Sequence, residues 1–418
     1  AAARQAFLRA AELDAASPAL GSLKEFLAWK PAADPAITDR DSPLIEAARL
    51  YAEVLRFHEA DADRTAFLAA DLDRILWAAG AAVGEDVTTR KQAALEAFLT
   101  RAGDHETAAL AGFHLAGLLR EQDDLVAAHR LAREAAAAHP DSPGGVQAAN
   151  LANEIEAKEL SLAAERAWAA PWPQVRVTYR NLAKVHLRLC RADWRTDLAA
   201  GRLGSDWFDD ETRGRILALP AVQQHAADLP ATPDYQERTE EIAVDAAFDM
   251  AGLEPGCYWL LASHKPDFSA TDNVVSLAQV WITRLAIVTE QQRQVLAGAG
   301  PRRPRRSPQA SAPLGGHVVD LATGEPVAGA DVRAFLRQQE RTQRGFVEQG
   351  QVKTDAEGRF ELSPPAGREF VLAATATIDG RDQTILGERQ NLWPHESSAT
   401  ATSIVLVTDR GIHRSGQI

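Results

Sequence analysis

From the start of the chain to about residue 170, apolar positions recur every three or four residues in a segment rich in Ala, Leu, Glu and Arg. That period is the signature of amphipathic helices. Leu44, Ala48, Tyr51 and Leu55 fall on one helical face behind Asp41-Ser42-Pro43. Asp or Ser can accept from the orphan amides of a first turn, where proline is tolerated, so this triplet predicts a helix start. The same punctuation returns at Asp141-Ser142-Pro143. Between the two, Ala111, Leu115, Leu118 and Leu119 form one stripe and Ala128, Leu131, Ala132 and Ala135 another, separated by the polar turn Glu121-Gln122-Asp123-Asp124. The spacing predicts a helical hairpin, with Gly112, Gly117, Ala128 and Ala132 allowing close approach. A last helix carrying Ala148, Leu151, Ala152 and Ile155 is predicted to run to Trp168, where Pro171-Trp172-Pro173 stops it. Residues 1–170 therefore read as an irregular helical-repeat domain.

Beyond Pro173 the period changes to two. Val175, Val177 and Tyr179, then Val185, Leu187 and Leu189, alternate with Arg176, Thr178, Arg180, Lys184, His186 and Arg188, the pattern of half-buried strands. The stretches 253–263 and 274–289 read similarly, and Pro255-Gly256 predicts a turn before the strand Cys257-Tyr258-Trp259-Leu260-Leu261. Short strands with turn punctuation and no alternating helices predict a β-sandwich over 171–296. Residues near 193–239 are polar and read as a helical insertion in it. The stretch 297–312, which holds Arg302, Arg303, Arg305 and Arg306 among prolines, reads as a linker. A second compact β-sandwich is predicted over 313–402, with a turn at Thr323-Gly324-Glu325-Pro326 and a tight hairpin turn in Thr354-Asp355-Ala356-Glu357-Gly358-Arg359-Phe360. Residues 403–418 read as the opening strand of a further domain. The expected fold class is α+β multidomain: a helical-repeat, tetratricopeptide-like domain followed by antiparallel β-sandwiches.

Composition narrows the function. Of 418 residues, 46% are apolar and 25% charged, the balance of a chain that buries ordinary cores. With 58 acidic against 45 basic side chains the net charge is -13, which opposes binding to nucleic acid and to anionic membrane surfaces. No stretch approaches the roughly 18 apolar residues of a membrane span. The first residues, AAARQAF, lack an initiator Met and a signal-peptide layout, so a processed chain or a piece of a longer one is expected.

Candidate chemistry is sparse. HExxH, Walker, GxGxxG and GxSxG patterns are all absent from the sequence, and no catalytic, cofactor-binding or metal-binding residue is assigned. His114 and His129 in the predicted hairpin have no carboxylate at obvious spacing and read as structural or solvated. Asp209-Asp210-Glu211 lacks the glycine and alternating ligands of a calcium loop and reads as a solvated loop. Asp355 and Glu357 beside Gly358 are explained by turn geometry. The Arg302, Arg303, Arg305 and Arg306 run reads as an exposed, protease-sensitive linker, with phosphate binding the lesser alternative. Whether Cys190 and Cys257 pair stays open, since alternation cannot give their separation.

The strand-rich part resembles the bacterial alpha-2-macroglobulin family. The chain's final residues look like the stretch that opens a macroglobulin domain there, matching it at Thr408, Asp409, Arg410, Arg414, Gly416 and Gln417, with His413 where Tyr is usual and Ser415 where Pro is usual. Leu253 to Leu260 followed by Trp281 to Val288 is similar to the end of the first sandwich of large bacterial members. Residues 323–330 with 354–360 look like a transthyretin-like or carboxypeptidase-regulatory-like sandwich. The resemblance covers about residues 175–418. It implies immunoglobulin-like macroglobulin sandwiches, a periplasmic, cell-envelope or secreted location, and protein partners, including proteases met through a longer protein in which a bait segment triggers entrapment. Neither cysteine lies in the Cys-Gly-Glu-Gln thioester motif of that family. The resemblance thus implies a non-catalytic N-terminal scaffold segment; the alternative is a cell-surface or secretion-associated adaptor that binds a peptide or glycan.

Overall fold

The computed structural model describes residues 43–82, 85–202, 209–290, 314–338, 345–363 and 369–391. They divide into two compact units: the described residues up to Ala157 with Pro233–Gln236, and those from Lys158 onward without that segment. The Arg302 to Arg306 run and the Thr408 to Gln417 motif lie outside the described residues.

The first unit holds six helices: α1 (Pro43–His58), α2 (Thr65–Ala81), α3 (Val87–Ala102), α4 (Thr107–Glu121), α5 (Leu125–Ala138) and α6 (Pro143–Glu156). Their apolar stripes meet in two clusters. Tyr51, Leu55, Leu68, Leu72, Ile75, Leu95 and Phe98 join α1 to α4, while Ala116, Leu125, Ala128, Ala132, Leu151 and Ile155 join α4 to α6. The small residues matter unevenly. A Cβ on Gly112 would stand 2.9 Å from the Ala135 Cβ, so this glycine sets the α4–α5 approach, whereas Gly117 faces open space and does not. Ser142 caps α6 by accepting from the Gly145 amide at 3.0 Å, with Pro143 in the first turn, as the punctuation predicts. Buried Asp71 accepts from Arg74 on its own helix and from Arg101 of α3, which is how that unit holds a charge inside.

α6 ends at Glu156 rather than Trp168. The following residues form β1 (Glu159–Ala163) and β2 (Ala167–Trp168), because β1 pairs with β3 (Gln174–Arg180) and the Glu159 carboxylate meets Arg180 across that pair. Backbone pairing outweighs the helical propensity of Leu and Ala there.

The second unit is built of antiparallel sheets, with one short parallel contact between β2 and β8. Its first sandwich stacks β1-β3-β6 on β2-β8-β7-β4-β5, where β4 is Lys184–Arg191, β5 Ala221–Asp228, β6 Arg238–Ala243, β7 Gly256–Ser263 and β8 Val275–Ile282. Val175, Val177 and Tyr179 from one sheet bury against Val185, Leu187, Leu189, Tyr258 and Leu260 from the other. These are the inward positions of the two alternating runs. Among its described residues, the region read as a helical insertion carries two short helices, α7 (Trp194–Ala199) and α8 (Asp210–Leu217), before β5 pairs with β4. A third, α9 (Val244–Ala247), follows β6. Asp209 caps α8 by accepting from the Thr212 amide at 2.8 Å, and Asp210 and Glu211 fill its first turn, where carboxylates complement the helix dipole.

The second sandwich stacks β13-β10-β9 on β12-β11-β14-β15, with β16 pairing β14. These strands are β9 (Leu285–Glu290), β10 (Leu314–Asp320), β11 (Asp331–Arg337), β12 (Phe346–Lys353), β13 (Arg359–Leu362), β14 (Glu369–Ile378), β15 (Arg381–Leu386) and β16 (Gln390–Asn391). β9, read in sequence with the first sandwich, hydrogen-bonds to β10 in register Ile287↔Val318. The chain switches at Thr283-Arg284, where the Arg284 amide donates to Gln383 Oε1 at 3.1 Å. The Asp355 turn is also not a hairpin, since β12 pairs with β11 and β13 with β10. It carries the chain from one sheet to the other. Asp355 Oδ1 accepts from the Glu357 and Arg359 amides at 3.1 and 2.7 Å, and Gly358 has φ 72°, a left-handed conformation glycine adopts without steric cost.

Candidate functional site

Most of the reactive side chains that the sequence offers are held by structural contacts. Cys190 and Cys257 are free and buried, and burial pushes both thiols up, so neither is poised as a thiolate. They lie on the outer face of the β4–β7 pair, offset by two residues from direct opposition, as the register Cys190↔Trp259 places them. Among the described residues, no group of three or more His, Cys, Asp or Glu could hold a metal ion, and no helix is long and apolar enough to cross a membrane.

Two constructions stand out instead. The first joins the two sandwiches. β7 is buried on both faces: Tyr258, Leu260 and Ala262 point into the first core, while Cys257, Trp259 and Leu261 point out into a second cluster. That second cluster is continuous through α7 and α8 with the core of the second sandwich, including Val332, Phe360, Phe370 and Leu372. Trp194 of α7 packs against it, 5.7 Å from the Trp281 ring and edge-on to Phe335 at 6.5 Å, distances at which aromatic pairs contribute beyond their area. A Cβ on Gly345 would fall 1.8 Å from the Ala199 carbonyl oxygen, so α7 and the start of β12 are in backbone contact.

Charged groups tie the same joint. Arg166, whose guanidinium burial holds below its ordinary range, donates to the Leu386 and Gly387 carbonyls at 2.7 and 2.8 Å. Arg284 grips Asp320 and Asp379, and Arg381 donates to the Leu253 carbonyl at 3.0 Å. Asp197, 1% exposed, accepts from Arg215 at 2.6 Å and has Arg202 at 3.4 Å. A buried carboxylate is tolerated only with such partners.

The second construction lies on the helical unit, where Pro233–Gln236 seats against α4 to α6. The Tyr235 ring lies 4.7 Å from the His129 ring, and its hydroxyl is 3.2 Å from His129 Nδ1. His129 Nε2 is 2.5 Å from Glu156 Oε1, and Arg133 also grips Glu156, holding that carboxyl below its usual range. Gln236 Nε2 donates to both the carbonyl and the side chain of Asp123, at 3.1 and 2.9 Å. His129 was therefore not without a carboxylate: Glu156 reaches it from the next helix, beyond what spacing along one face can reveal. Tyr235 and Gln236 were missed as well. Their available signal was an aromatic residue set among Thr232, Pro233, Asp234, Gln236 and Glu237, a loop composition that ordinarily leaves an aromatic ring exposed.

Comparison with known proteins adds the following. No family model matches the chain, and no curated protein matches it. Among solved structures it is similar to native alpha-2-macroglobulin from Escherichia coli spanning domains NIE-MG1, at 14% identity and a TM-score of 0.36 over 55% of this chain and 97% of that one. It is also similar to a longer span of that protein, domains MG0-NIE-MG1, at 15% identity and a TM-score of 0.35, over 55% of this chain and 63% of that one.

Proposed function

We propose that this chain is a non-catalytic scaffold segment of a bacterial alpha-2-macroglobulin-like protein of the periplasm, cell envelope or secreted fraction, whose contact with proteases runs through regions beyond it. The observation that carries the reading is the joint. Trp194, Trp281 and Phe335 join the outer face of the first sandwich to the core of the second, with Arg166, Arg284 and Arg381 bonded across the joint. Such a joint transmits force between neighbouring domains and leaves their relative orientation fixed. The terminal motif Thr408, Asp409, Arg410, Arg414, Gly416 and Gln417 and the order of the three family-like stretches support the same reading, in which the tetratricopeptide-like helical unit serves as a docking surface.

The test is a protease assay with the chain alone. Mixed with an equimolar serine protease, it should leave cleavage of both a small chromogenic substrate and a large protein substrate unchanged. Stoichiometric loss of protein-substrate cleavage would contradict a scaffold role. The adaptor reading is favoured by one observation, the seating of Pro233–Gln236 on the helices.

A further inference from the structure

The seat of Tyr235 has the parts of a recognition site. Glu156 is an acceptor, so in the neutral His129 ring the proton sits on Nε2, facing Glu156, and Nδ1 is left to accept from the tyrosine hydroxyl. The ring itself packs on the apolar cluster of Ala116, Leu125, Ala128 and Leu151. One position later, the Gln236 amide is read by the backbone and the carboxylate of Asp123 together. Tyr235 and Asp123 both have positive φ, 59° and 68°. Backbone of that kind in a tyrosine persists only where surrounding contacts hold it.

We propose that this is a peptide-recognition site of the helical unit that reads a tyrosine followed by an amide side chain. Pro233–Gln236 fills it in cis, and a second peptide of the same chemistry enters when that segment withdraws. The occupant is specified by what now sits there: a ring for the apolar cluster of α4 to α6, a hydroxyl for His129 Nδ1 and an amide for Asp123. A site occupied in cis shows a lowered apparent affinity, in proportion to the fraction of time it is vacant. The inference stands on the helical unit alone and does not rest on the macroglobulin reading.

The experiment uses the full chain and a fluorescein-labelled peptide with the sequence of residues 229–239, followed by fluorescence anisotropy. Vacating the site with Tyr235→Gly and Gln236→Gly keeps the positive φ accessible while removing both anchors. The vacated chain should bind the peptide saturably and about tenfold or more tightly than the wild type does. A peptide with alanine in place of tyrosine should bind about tenfold more weakly, as should the vacated chain carrying His129→Ala. Equal binding by wild-type and vacated chains, or by the tyrosine and alanine peptides, overturns the proposal. Should the double variant unfold, the wild type is read by hydrogen exchange with excess peptide: faster exchange at residues 234–237 supports displacement, and unchanged exchange overturns it.

Discussion

His114, His186 and His264 share a physical situation that composition alone would not reveal. Desolvation lowers each below the ordinary imidazole value, helped by Lys91 at His114, Lys184 at His186 and Lys158 and Lys265 at His264. A base whose folded value is depressed leaves the unfolded chain binding more protons, so stability falls as pH drops below the unfolded value of about 6.5. The capping carboxylates Asp193 and Asp209 are held low by hydrogen bonds from Thr196 and Thr212, and their contribution is lost only below about pH 4. The window from pH 7.5 to 5.5 therefore isolates the histidines. The urea midpoint should be lower at pH 5.5 than at 7.5, and replacing the three histidines by glutamine should shrink the difference. An equal or higher midpoint at pH 5.5 in the wild type would contradict this.

At the scale of elements, helix contacts turn on individual glycines. A Cβ on Gly144 would lie 2.2 Å from the Leu110 amide nitrogen and 2.5 Å from its Cα. Backbone cannot move aside as a side chain can, so Gly144→Ala should cost about 1–3 kcal/mol of stability. Gly117 has nothing within 4 Å in the interior of α4, and Gly117→Ala should instead stabilise by about 0.5–1 kcal/mol. Denaturant unfolding of the pair checks both signs; equal effects would mean that α4 and α6 are not in backbone contact. The helices and strands with clean periods were legible in sequence: α4 and α5 from their stripes, β3 and β4 from alternation. Others were not. β1 and β2, both within the stretch read as helix to Trp168, and β5, with its Ala-Val-Gln-Gln-His-Ala-Ala-Asp run, have compositions compatible with helix and take their conformation from pairing with β3, β8 and β4. β9 alternates well, but alternation does not say which sheet a strand joins.

At the scale of the molecule, the sequence suggests two sandwiches in succession, and the structure packs the described residues of both within one compact unit. The reason was illegible because the joint is made by residues distant in the chain: Arg166 bonds 221 residues away at Gly387, and Arg381 bonds 128 residues away at Leu253. Trp194 and Trp281 read as ordinary apolar residues until the fold brings them together. The Tyr235 seat was hidden in the same way, 106 residues from His129. A scaffold role requires that the two sandwiches open together. Native-state hydrogen exchange at rising sub-denaturing urea measures this directly, by comparing β7 of the first sandwich with β14 of the second. The most protected amides of Leu260 and Val371 should converge on one opening free energy with one urea dependence, as a single cooperative unit does. If β14 instead exchanges through a separate opening of lower energy while β7 stays protected, the sandwiches are independent modules and the scaffold account fails.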